Sequence, residues 1–85
     1  MNIEERLMNA GHEGVVYFVD PSYDDAIIGI SHDERVIYDF DKMIECLMKE
    51  ENMDVIEAIE WIEYNAVRSL PYCGDKAPII MYPIE

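Results

Sequence analysis

Three groups of side chains in this sequence could do chemistry, and carboxylates dominate all three. Glu57, Glu60 and Glu63 recur at every third residue with Tyr64 beside the last of them, Asp24 and Asp25 adjoin each other shortly after Asp20, and Asp33 and Glu34 form a second adjacent pair. Paired carboxylates can serve acid–base catalysis, hold a hard cation, or present an anionic surface. Catalysis needs one carboxyl whose pKa is lifted by an apolar pocket, and none of these acids has an evident one. Cation binding draws on oxygens in a regular array, but Asp20, Asp24 and Asp25 lack the alternating acids, central Gly and terminal Glu of an EF-hand loop. His12 and His32 are isolated, with no His-x-x-x-His or Cys-x-x-Cys spacing, so a zinc site would have to be gathered from distant segments. Cys46 and Cys73 read as a reduced, unbridged pair, and a nucleophile among them would need a base that the sequence does not place nearby. An enzyme, a metal and a cofactor are therefore not expected. The third use, an anionic surface, remains.

Charge supports that use. The 85 residues hold 19 acids against 6 Lys and Arg, a net charge of -13. The segment from Glu13 to Glu63 holds 15 of the acids and 3 of the bases, so it carries a net -12. Such a field repels nucleic acid and anionic membranes and draws the chain toward basic surfaces within about 8 Å at physiological salt. Disorder is excluded by composition, because 51% of the residues are hydrophobic and 11% aromatic, enough apolar surface to offset ordering entropy. The apolar runs are too short to span a bilayer, and nothing resembles a signal peptide. A single soluble, cytoplasmic domain over residues 1–85 is expected.

These acids must be positioned by a small set of elements. A short helix or turn is expected before Gly11. The β-branched and aromatic run Val15–Val19 predicts a strand closed by the Asp20-Pro21-Ser22 turn, followed by strands at Ala26–Ile30 and Arg35–Tyr38. Gly29 inside the second of these predicts a bulge or a close backbone approach. The period then changes to 3.6 residues: Phe40, Met43, Ile44 and Leu47 share a face of a helix over Asp41–Glu50, with Asp39 or Asp41 as N-cap. Asp54 and Glu57 have capping-box spacing, and open a helix over Val55–Ser69 whose buried stripe is expected at Val55, Ile59, Ile62, Ala66 and Leu70. Pro71 stops it. Ile79–Tyr82, bracketed by Pro78 and Pro83, predicts an edge strand. The expected fold is α+β: a small antiparallel sheet in the order βββααβ with two helices packed on one face.

On the second helix, successive glutamates three residues apart advance about 4.5 Å along the axis, against about 3.4 Å per charge on a DNA strand. The row therefore imitates a phosphate backbone only loosely. Trp61, Tyr64 and Tyr72 lie among these acids and give the surface aromatic anchors.

The segments Tyr23-Asp24-Asp25-Ala26-Ile27-Ile28-Gly29-Ile30, Arg35–Ile44, Glu57–Asn65, Leu70-Pro71-Tyr72 and Lys76–Met81 resemble small acidic proteins carried by phages and prophages of Firmicutes. Tiny acidic phage proteins include inhibitors of host defence, among them anti-CRISPR proteins. The resemblance supplies this context and no activity; class and charge together lead to the expectation of a stoichiometric inhibitor that occupies a basic nucleic-acid site on a CRISPR effector, binding no nucleic acid or membrane itself. Asp24, Asp25, Asp33, Glu34, Glu57, Glu60, Glu63 and Tyr64 are the expected contact residues. The competing reading is a small phage adaptor or regulator that docks or homodimerises through its free sheet face, its acids serving solubility.

Overall fold

The computed structural model describes residues 11, 15–19 and 23–84. The expected opening helix before Gly11 and the Asp20-Pro21-Ser22 turn lie outside the described residues. A 3-10 turn at Asp24–Ala26 leads into β1 (Ile27–Ile30), which pairs antiparallel with β2 (Val36–Asp39). Two helices follow, α1 (Phe40–Glu50) and α2 (Val55–Trp61), then a 3-10 turn at Leu70–Tyr72 and β3 (Ile79–Met81). The class is α+β, and the strands-then-helices order with a closing strand is as expected.

Two features of the expected sheet are corrected. Val15–Val19 forms no strand. Its side chains do the work instead: Val15, Tyr17 and Phe18 pack against the core, and the Phe18 N–H donates to the Tyr38 hydroxyl at 2.9 Å rather than to a neighbouring strand. The sheet is also mixed, not wholly antiparallel. β3 pairs parallel with β2, Ile37 opposite Ile79 and Tyr38 opposite Ile80. Both helices lie between those strands in the chain, and such a crossover returns a strand in the same direction. The strand order β1-β2-β3 puts β3 at an edge, as its flanking prolines require. At Gly29 the register slips between Ile27 and Gly29. A Cβ built on Gly29 meets nothing within 4 Å, so the glycine marks a bulge, not a close approach.

Both helix starts are capped as their sequences dictate. The Lys42 N–H donates to Asp39 Oδ1 at 3.1 Å. At α2 the Glu57 N–H donates to Asp54 Oδ1 at 2.8 Å and the Asp54 N–H to Glu57 Oε1 at 3.4 Å, closing the box. Each such cap contributes about 1 kcal/mol. On α1, Phe40, Met43, Cys46 and Leu47 are buried, and α1 lies against β2 and α2.

Beyond Trp61 the helix widens, with Ile62–Val67 wound as a π-helix. The Asn65 side-chain amide donates to the Trp61 carbonyl at 2.9 Å, taking a bond that an α-helix would give to the backbone of residue 65. The buried stripe on α2 and its continuation is Ala58, Ile62 and Ala66, at 0%, 0% and 5% exposure. The expected stripe is right at Ile62 and Ala66 and wrong at its start: Val55 is exposed, while Ile59 and Leu70 are half-buried. Ala58 packs in the core because its small side chain brings α2 close.

The core closes around three aromatic rings. Phe18 meets Tyr38 at 4.9 Å and Tyr23 at 5.8 Å between ring centroids, and Tyr23 meets Tyr38 edge-on at 6.4 Å. Burial pushes the Tyr23 hydroxyl up to about 12 from 10.0 and drives Tyr38 further above its ordinary value. Unfolded phenols ionise near about 10, so above that pH the unfolded chain loses protons that folded Tyr23 retains. Stability is complete below about pH 10 and falls as pH rises through about 12. Thermal melts at stepped alkaline pH should show this decline, and Tyr23→Phe should make it shallower.

Candidate functional site

The expected contact acids form three separate clusters. Asp33 and Glu34 sit in the β1–β2 turn, and Asp33 is held there by its own loop. Its carboxylate accepts the Ser31 hydroxyl and lies 3.9 Å from Arg35, while its carbonyl accepts from Lys76. The Ser31 hydrogen bond is the main cause holding the Asp33 carboxyl below its usual value. Arg35 in turn donates from Nε to the Ala77 carbonyl at 2.7 Å, so this cluster ties the turn to the approach of β3. Glu34 takes a left-handed backbone, φ 64°, which lets a four-residue turn close.

Asp24 and Asp25 stand in the 3-10 turn before β1. Asp25 is exposed and shares a shallow hollow with Lys42, Glu45, Lys49 and Glu50 of α1, where lysines dilute its charge. Asp24 is half-buried and has one carboxylate oxygen buried without a hydrogen-bond partner, a position tied to the fold. Cys46, buried on α1, also lines the Asp25 hollow. Burial pushes its thiol up, away from the thiolate that nucleophilic chemistry needs. Cys46 and Cys73 are both free.

The third cluster is built as a site. Glu57, Glu60, Trp61 and Tyr64 stand at i, i+3, i+4 and i+7, and together with Met53 and Asn65 they line one open hollow of about 380 Å³. All four are exposed, Trp61 at 40% and Tyr64 at 71%. Among the described residues none of Glu57, Glu60 or Glu63 belongs to an ion pair. Arg68 lies over the Tyr64 ring at 4.9 Å, a cation–π contact that fixes the ring at the edge of the hollow.

Glu63 is exposed but is not a wall of this hollow. A step of three residues turns a side chain about 60° around an α-helix, and the π-helical stretch that contains Glu63 changes that rotation again. The every-third-residue row is therefore not a straight line of charge; the coherent stripe is the one through Trp61. Tyr72, the third aromatic noted among the acids, is 90% exposed and lies in the 3-10 turn after the helix.

Of the eight expected contact residues, the structure brings Glu57, Glu60 and Tyr64 together and leaves the other five apart from that hollow. Met53 and Asn65 are the lining residues that the sequence reading passes over; Trp61 enters it as an aromatic anchor, and an i, i+3, i+4, i+7 reading of the exposed face joins it to the acids. No group of three or more His, Cys, Asp or Glu among the described residues is arranged to hold a metal ion. No helix of the described residues is long and apolar enough to cross a membrane. Compared with protein-family models, curated proteins and solved structures, the chain matches none.

Proposed function

We propose that this chain is a cytoplasmic, phage-type inhibitor of a host defence system, an anti-CRISPR protein that docks the exposed face of Glu57, Glu60, Trp61 and Tyr64 into a Lys/Arg-rich nucleic-acid site of a CRISPR effector. One observation carries the reading: Glu57 and Glu60 flank exposed Trp61 and Tyr64 in an open hollow, and no cation pairs with either acid among the described residues. Uncompensated charge around an aromatic centre fits a protein interface, in which charge complementarity speeds encounter and the buried aromatics slow release. The chain needs no catalytic group for this, because occupying the site is the inhibition. The capping box holds the first turn of α2 rigid, so the charges are preorganised before binding. An electrophoretic mobility assay tests it. At equimolar ratio the chain should prevent a CRISPR effector from binding its target DNA, while leaving free duplex DNA unshifted. A shift of duplex DNA by the chain itself would refute mimicry.

A second reading has its own support. In the pairing of β2 with β3, Tyr38 and Ile80 face the core, which leaves Ile37, Ile79 and Met81 on the opposite face, all half-exposed. An adaptor or a homodimer would use that face, and its association would be insensitive to salt.

A further inference from the structure

A second hollow, of about 290 Å³, adjoins the acidic one and shares Trp61 and Asn65 with it. Tyr17, Phe18, Tyr23 and Trp61 supply its aromatic walls, and Asn65 and Ser69 its polar side chains. The polar groups divide unevenly. The Asn65 amide nitrogen is used on the Trp61 carbonyl at 2.9 Å, and the Ser69 hydroxyl donates to the Ala66 carbonyl at 2.8 Å. Three acceptors of the lining have no donor among the described residues: Asn65 Oδ1, Ser69 Oγ and the Tyr23 hydroxyl oxygen.

Tyr23 adds an independent sign. The residue is 2% exposed, its hydroxyl has no partner with hydrogen-bond geometry among the described residues, and its backbone is held left-handed at φ 52°. A buried hydroxyl without a partner costs about 1–3 kcal/mol. A bulky residue is rarely kept in a left-handed conformation without a structural or functional reason.

We propose that this aromatic hollow receives the guanidinium of an arginine side chain carried by the basic partner, an inference that rests on the docking function above. Aromatic faces attract cations through their quadrupoles, and a net charge of -13 enriches cations around the whole chain. Guanidinium is planar, donates five hydrogen bonds and accepts none, so it can stack on the rings while its N–H groups serve the unused acceptors. Lysine lacks the planar fork. A volume near the lower end of ligand clefts, about 300–1,000 Å³, admits one side chain and not a nucleotide cofactor. Entry beside Glu57 and Glu60 gives the arginine an acidic approach.

The chain has one tryptophan, so Trp61 fluorescence reads the site directly. N-acetyl-arginine amide, titrated at fixed ionic strength, should shift the emission saturably, and the neutral isostere N-acetyl-citrulline amide should bind about tenfold more weakly or not at all. Tyr23→Phe should weaken the arginine response about tenfold with a melting temperature equal to or above that of the parent, since it deletes an unpartnered buried hydroxyl. Equal responses to the two amides would overturn the proposal. So would an arginine response unaltered by Tyr23→Phe, because Tyr23 lines this hollow and not the acidic one. Glu57→Gln with Glu60→Gln separates the two claims. If that variant still binds the arginine amide while the parent chain fails to bind a CRISPR effector, the docking function falls and the hollow stands. Effector binding by the parent with no arginine response leaves docking intact and removes the hollow's role.

Discussion

Ile62→Ala should destabilise the domain by about 2–5 kcal/mol, a large share of the roughly 5–15 kcal/mol that holds a small domain folded. Ile62 is fully buried at the centre of the α2 stripe, between Ala58 and Ala66. Its neighbours along the stripe are alanines, which have no side-chain atoms to swing into the space a deleted isoleucine leaves, so the cavity persists. Val55→Ala provides the contrast. Val55 is 45% exposed, so its truncation should stay within about 0.5 kcal/mol. Urea unfolding of the two variants measures both, and equal losses would mean that the buried face of α2 is misassigned.

The second large effect is on binding. Glu57→Lys with Glu60→Lys should weaken binding to a basic nucleic-acid site by at least about 100-fold, since close charge pairs at interfaces couple by about 1.5 kcal/mol or more each and reversal adds repulsion. Glu57 also closes the α2 capping box, so its reversal disturbs the helix start. Glu57→Gln keeps a side-chain acceptor while removing the charge, and should lose affinity without losing the cap. Reversal at Asp33 and Glu34 should matter far less to binding, because Asp33 is occupied with Ser31, Arg35 and Lys76. Isothermal titration against a CRISPR effector ranks these variants, and equal affinities for all of them would remove charge from the mechanism.

Much of this arrangement is legible in the sequence, and the exceptions have physical causes. The caps at Asp39 and Asp54, the helices that follow them and the edge position of Ile79–Met81 are local matters of side-chain chemistry, so spacing reveals them. Val15–Val19 misleads because β-branched and aromatic residues suit any pleated or half-buried surface; here the run serves the core through Tyr17 and Phe18 without joining the sheet. The parallel return of β3 follows from the two helices between it and β2, a matter of connection and not of composition. For the site, a count of acids finds Glu57 and Glu60 but extends the row to Glu63, because it assumes one helical pitch throughout. The aromatic hollow draws on Tyr17, Phe18 and Tyr23, more than thirty residues from Trp61, and no local pattern announces such a meeting.

The most direct test of acidic docking is displacement of target DNA from a CRISPR effector by this chain, measured at about 50 and 200 mM salt. The account predicts inhibition at near one-to-one stoichiometry at the lower salt, a steep loss of potency at the higher, and little inhibition by the Glu57→Lys, Glu60→Lys variant at either. Potency unchanged by salt and by that double reversal would contradict it.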